Sequence, residues 1–200
     1  MFAMVSSGSM LDYSVARVEA RTPVRAAAVG LAVVLTALAA QFTIPLPFTS
    51  VPFTLTPLVV MLTGAALGAR LGFVAQALYL AAGAAGLQVF APSPTLPPGA
   101  LRLIGPTGGY LLAYPIAAFV TGFLAERGWD RRYVTSLASM LAGLAIIFAG
   151  GVSWLAISVT QSLPAAVATG FAPFVAFDIL KAAAAALILP GAWKLLKDTL

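Results

Sequence analysis

An aspartate and a lysine three residues apart, Asp178 and Lys181, are the charged residues inside the long apolar run 171–189. In hydrocarbon each costs several kcal/mol, roughly 2.5 to 3.5 on insertion scales, so a run that keeps both needs a reason. On a helix, a spacing of three puts the two side chains on one face, close enough to neutralise each other or to grip a polar group between them. Two readings follow: a ligand site, or a private ion pair that locks helices together. The first is favoured, because a buried pair is often no better for stability than well-packed apolar residues.

The argument requires a membrane, and composition supplies it. The 200-residue chain is 61% hydrophobic and 8% charged, with mean hydropathy +1.01, too little polar surface to cover a water-soluble globule. It holds neither cysteine nor histidine, which removes disulfides, thiol nucleophiles, the usual zinc sites and imidazole acid/base chemistry. Asp178 is the lone carboxylate within the apolar spans, so a carboxylate dyad is excluded. No Walker A sequence is present, and the chain by itself has no means of using ATP. These absences argue against an enzyme, and no metal or cofactor of its own is expected.

The elements that must position the pair are apolar spans at 24–44, 53–69, 71–90, 108–125, 133–157 and 171–189. Each approaches the length of about 20 residues that a helix needs to cross a bilayer. The expected fold class is an all-α integral membrane protein, a single bundle of six transmembrane helices over 23–200. Residues 1–22 are polar and lack a cleavage site after an apolar core, so they are expected to form a cytoplasmic tail. The second and third spans are separated only around Arg70, and the second contains Pro57. Arg17, Arg21, Arg25, Arg70, Arg127, Arg131, Arg132, Lys194 and Lys197 fall on one side of this arrangement, with Arg102 alone opposite. By the positive-inside rule both termini are cytoplasmic. That asymmetry accounts for the net charge of +5 without a nucleic-acid partner.

The opposite side carries the segments 44–53 and 89–99, rich in proline, aromatics and hydroxyls. Prolines stiffen such segments and reduce the entropy lost on closing over a ligand, so they can form a lid or simply tight connections. On the same side Gly105-Pro106-Thr107-Gly108-Gly109-Tyr110 opens the fourth span. Its glycines permit close backbone approach, and its free amides lie at a positive helix end. Small residues recur every fourth position at Ala26/Gly30, Ala28/Ala32 and Gly64/Gly68/Gly72, spacing that lets helices approach closely in lipid.

Taken together, Pro45-Leu46-Pro47 with Val51-Pro52-Phe53-Thr54, Leu62 through Arg70, Tyr79-Leu80 with Gly86 through Phe90, Gly105 through Leu111, and Phe174 through Lys181 resemble the BioY family. These are the biotin-specific, substrate-binding S components of energy-coupling factor (ECF) transporters, and the likeness runs in order from about Thr43 to about Leu189. It implies a six-helix bundle with a vitamin pocket near the outer face of a bacterial cytoplasmic membrane. It further implies that Asp178 and Lys181 contact biotin's polar groups, and that Thr107, Gly108, Gly109 and Tyr110 line the pocket. Arg102 is either a loop-borne contact to biotin or an arginine snorkelling to the interface. The chain departs from the family's usual run with Gln88 where proline is common, and with the proline-rich 92–98 in place of a glycine-rich stretch. The resemblance implies partners as well: a membrane-embedded coupling subunit, docked through Ala28 and Ala32, and two ATPase subunits. The alternatives are an S component for another vitamin and an ion-coupled secondary transporter of a small polar solute, although no internal repeat of the kind such transporters show is visible.

Overall fold

The computed structural model describes residues 8–15, 21–93 and 97–199, and these are mostly helical. The expected tail falls partly outside them, as do Arg17 and residues 94–96. Its described part forms α1 (Met10–Val15). Ser9 and Asp12 close a reciprocal cap there: the Asp12 amide donates to Ser9 Oγ at 3.2 Å and the Ser9 hydroxyl donates to Asp12 Oδ2 at 3.0 Å. An exposed Arg25–Asp12 pair at 2.8 Å links α1 to the next helix, a contact of the kind worth less than about 1 kcal/mol.

The six expected apolar spans correspond in order to α2 (Arg21–Gln41), α3 (Thr56–Leu67), α4 (Ala69–Ala84), α6 (Gly108–Ala125), α7 (Tyr133–Leu155) and α9 (Val175–Thr199). Between α2 and α3 a small hairpin pairs β1 (Thr43–Ile44) with β2 (Phe53–Thr54), antiparallel, with Thr43 opposite Thr54. Between α4 and α6 lies the short α5 (Leu101–Ile104), and between α7 and α9 lie a π-helical turn (Ala156–Thr160) and α8 (Leu163–Gly170). Among the described residues four stretches are long and apolar enough to cross a membrane: Thr22–Gln41, Gly108–Ala125, Tyr133–Thr160 and Val175–Leu195.

α3 and α4 are shorter than expected, at 12 and 16 residues, or about 18 and 24 Å at 1.5 Å per residue. Both ends of α3 have a chemical cause. Phe53 and Thr54 are drawn into the hairpin and Pro57 sits in the first turn, while Gly68 ends the helix at φ +85°, a conformation favouring glycine. The break between the spans is therefore Gly68, and Arg70 belongs to α4. A side chain from elsewhere completes it: the Ala69 amide donates to Glu126 Oε1 at 2.8 Å, placing a carboxylate at the positive end of α4. The last helix also starts later than its span, at Val175, after a turn containing Pro173.

α6 is the centre of the bundle, packed against α3, α4, α5 and α7. Glycines make this possible. A Cβ on Gly64 would lie 2.2 Å from the Ala118 carbonyl oxygen, and one on Gly122 would lie 2.5 Å from the Ala69 nitrogen. For these glycines the small-residue spacing serves packing within the bundle. The outward faces are apolar, as a bilayer solvent demands. On α9, Leu180 and Leu187 are 67% and 65% exposed while Asp178 is 5% exposed, so the charged residues point inward and the leucines outward.

Candidate functional site

Asp178 lies in the first turn of α9, and Lys181 one turn further on reaches back along the same inward face. Lys181 Nζ donates to Asp178 Oδ1 at 2.7 Å and to the Thr54 carbonyl oxygen of β2 at 2.6 Å. The ammonium also lies 3.6 Å from the centre of the Phe53 ring, within cation–π range. Phe53 in turn meets Phe177 edge-on at 5.5 Å. The charged pair is thus fastened to the hairpin that the sequence marked as lid or connection. An ammonium has three N–H donors, so two are used by the protein and one is left. Asp178 Oδ2 has no hydrogen-bond partner among the described residues.

Both side chains face a small pocket, a cavity of about 60 Å³ that is open on one side. Its wall combines Val51 to Thr54 of the hairpin, Thr56 and Pro57 of α3, Tyr79 of α4, Tyr110, Leu111 and Tyr114 of α6, Ile147 and Phe148 of α7, and Phe174 before α9. A second cavity lies outside it, lined by Gln41, Thr43, Thr49, Ser50 and Ser93 among others, and shares Pro52, Arg102 and Thr107 with the first. Arg102 and Thr107 therefore stand at the throat between an outer vestibule and an inner pocket.

Local folding explains how each wall residue is held. Tyr110 donates its hydroxyl hydrogen to the Gly170 carbonyl oxygen at 2.7 Å. Its ring occupies the space left by Gly151, where a Cβ would come within 2.1 Å of it. Tyr79 donates to the Val89 carbonyl oxygen at 3.2 Å and packs edge-on to Phe90 at 5.4 Å, anchoring the chain where it leaves α4. Arg102 is 6% exposed and donates to the Ala91 carbonyl oxygen. Burial draws its pKa below the ordinary arginine value, with Tyr79 opposing. Since arginine does not deprotonate in proteins, the throat carries a buried cation. Trp154 Nε1 donates to the Gly105 carbonyl oxygen at 2.9 Å and fixes the entry to α6.

The structure brings Asp178, Lys181, Thr107, Tyr110 and Arg102 to one cavity, although they come from two distant stretches of sequence, 102–110 and 178–181. Arg102 is a buried wall residue, and the snorkelling reading does not describe it. Gly108 and Gly109 are placed otherwise than expected, behind the wall and not on it. A Cβ on Gly108 would lie 2.0 Å from the Leu103 carbonyl oxygen, and one on Gly109 would lie 2.2 Å from Trp154 Cβ. Their smallness lets α6 seat against α5 and α7. Ala32 is likewise turned inward at 6% exposure, in an apolar cluster with Val29 and Ala75, and Ala28 is half-buried. The free face of α2 instead carries Leu31, Val34, Leu35 and Leu38. Sequence reasoning passed over Tyr79 and Tyr114 as wall residues. The available signal was a phenol within an apolar span, where a hydroxyl needs a partner.

Comparison with known proteins gives concordant results. The BioY family profile matches residues 13–198. Over 145 residues the chain is 45% identical to the biotin transporter BioY of Thermotoga maritima, covering 72% of this chain and 82% of that protein. Over 160 residues it is 41% identical to a probable biotin transporter BioY of Pyrococcus horikoshii, covering 80% and 90%. The crystal structure of an S component for biotin from an ECF-type ABC transporter superposes with a TM-score of 0.79 over 88% of this chain and 94% of that one. The two are 23% identical, and at that level the likeness is one of fold.

Proposed function

The chain belongs to the BioY family, and from that premise we propose that it captures biotin from outside the cell as the substrate-binding S component of an ECF-type transporter. The observation that carries the reading is the inward-facing Asp178–Lys181 pair on the wall of a pocket below the proline-rich hairpin. Biotin's chemistry suits it. A carboxylate accepts hydrogen bonds from ureido N–H groups, and the remaining Lys181 N–H and the Arg102 guanidinium supply donors for carbonyl or carboxylate oxygens. Pro57, Leu111, Ile147 and Phe148 offer apolar contact for the thiophane ring and the methylenes.

The finer elements of the reading are six crossings of the cytoplasmic membrane with both termini inside, and energisation by a membrane coupling subunit with two ATPase subunits. The loop charges support the orientation. A cysteine in place of Ser93 is expected to be labelled by an impermeant thiol reagent on intact cells, and one in place of Arg131 is not; the reverse pattern overturns the topology. Ligand identity is tested by titrating the detergent-purified chain with biotin, riboflavin and thiamine. One saturable biotin site per chain is expected, with desthiobiotin competing through its ureido ring. Absence of saturable biotin binding, or tighter binding of another vitamin, overturns the assignment.

A further inference from the structure

The inner pocket beside Asp178 and Lys181 and the vestibule outside it differ sharply in room. At about 60 Å³, the inner pocket has space for a few waters at about 10 to 15 Å³ each. Small-molecule sites run to about 300–1,000 Å³, and the vestibule, at about 630 Å³ and open on one side, falls among them. The hairpin narrows the inner pocket. Val51 to Thr54 form part of its wall, and Lys181 holds that strand through the Thr54 carbonyl oxygen and the Phe53 ring. A molecule the size of biotin fits beside Asp178 only after the hairpin moves outward, whereas the vestibule has room for it as it stands.

The vestibule wall suits a polar anion. It carries the hydroxyls of Thr43, Thr49, Ser50, Ser93 and Thr107, and Arg102 is the one charged residue on it among the described residues. Arg102 is 6% exposed, so little water screens the guanidinium, and its field reaches into a space whose described wall holds no carboxylate. Gln41 ties the two sides of the vestibule together, its side-chain amide donating to the carbonyl oxygens of Gln88 and Phe90, each at 3.3 Å. Arg102 and Thr107 also line the inner pocket, so a carboxylate held at Arg102 is within reach of both chambers. We propose that the vestibule is a first binding site for biotin, occupied before the inner pocket. The valerate carboxylate is held at Arg102 and the ring rests against the hydroxyls. When Lys181 lets go of Thr54, the ring swings past Thr107 to Asp178 while the carboxylate stays in place. The inference rests on biotin being the ligand, and it adds a site built largely from residues that the inner pocket does not use.

The test is a rapid-mixing chase. Detergent-purified full chain meets radiolabelled biotin for increasing times, is swamped with unlabelled biotin and is filtered at once, so retained label counts chains whose ligand has reached the slowly exchanging inner pocket. The rate of commitment is expected to level off as biotin is raised to millimolar levels, the half-saturating concentration reporting the vestibule and the plateau reporting the swing. In the Thr43→Val/Ser50→Val double variant, whose altered side chains line the vestibule and not the inner pocket, the half-saturating concentration should rise about fivefold, the scale of two hydrogen bonds between uncharged groups. Its plateau, the dissociation rate of committed biotin and apo melting should match the wild type. Radiolabelled biotin amide, which keeps the ring and lacks the charge, should raise the half-saturating concentration of the wild type about tenfold. A rate that climbs in proportion to biotin without a plateau, or an unchanged half-saturating concentration in the double variant, overturns the vestibule site. An equal value for the amide overturns the anchoring at Arg102. Equilibrium titration of the same samples keeps the two readings apart: absence of saturable binding defeats biotin as the ligand, whereas tight binding in a single step defeats only the vestibule.

Discussion

Two aspartates anchor opposite ends of α9. Asp178 and Asp130 are buried to nearly the same degree, 5% and 1% exposed, yet their surroundings differ. Asp178 has an ammonium at 2.7 Å and faces a cavity. Asp130, in the short turn Trp129–Arg131 between α6 and α7, accepts a hydrogen bond from Trp193 Nε1 at 2.5 Å, and its Oδ1 is walled off without a hydrogen-bond partner. The Arg131 guanidinium lies 4.8 Å from the Trp193 ring centre. Burial of a carboxylate does not by itself mark a site. What separates the two is unspent hydrogen-bonding capacity facing an open volume: Asp178 keeps an acceptor and its lysine keeps a donor toward the pocket. Asp130 fastens the end of α9 beyond Pro190 to the neighbouring turn.

The largest effect is expected from breaking the outer pair. Asp178→Asn should weaken biotin by about 1.5 to 3 kcal/mol, the worth of a hydrogen bond to a charged group, while apo melting changes little. Lys181→Met should also weaken biotin and should loosen the hairpin, because its bond to Thr54 goes too. If the pair only joined helices, either single change would cost about 3 to 5 kcal/mol of apo stability and exchanging both for apolar residues would restore it. Thermal melting and biotin titration of the two singles and the double separate these outcomes, and unchanged biotin affinity in both singles refutes the site.

A smaller and complementary effect is expected at the other end of the helix. Asp130→Ala leaves the Trp193 N–H without its acceptor and should lower apo stability by about 1 to 3 kcal/mol, with biotin affinity unaltered. A loss of biotin affinity without loss of stability would erase the distinction drawn between the two ends.

The smallest effect is a pH dependence. Burial holds the Asp130 pKa above its ordinary value of 3.8, the Trp193 hydrogen bond and Arg131 opposing. The folded chain therefore binds more protons at this group than the unfolded chain between the ordinary and the raised value. By linkage, stability contributed here rises as pH falls through the raised pKa and levels off near the ordinary one. The melting temperature of the wild type relative to Asp130→Asn should rise on acidification over that window; a relative fall would show that the hydrogen bond to the ionised form dominates.

Much of this molecule was legible in the chain. A charged pair in an apolar run can hardly face lipid, so the inward direction of Asp178 and Lys181 followed from solvation alone. The order of the apolar segments followed from hydropathy in the same way. The lengths of α3 and α4 did not, because they depend on strand pairing at 53–54 and on the backbone at Gly68, which hydropathy does not register. Gly108 and Gly109 were identified as positions of close approach, yet what approaches them is α5 and α7 and not the pocket. A missing Cβ says that something comes near without saying what.

Composition and spacing determined that this is a membrane protein with a polar grip in one helix, because transfer free energies act residue by residue. The tertiary structure decided what that grip touches. The Thr54 carbonyl that Lys181 holds lies 127 positions away in sequence, and Arg102 reaches the throat only because α5 folds inward between two spans. It also turned Ala32 into the bundle, where a spacing of four allowed either face. Such choices are settled by which surfaces fill each other, a property of the assembled helices that no single segment carries.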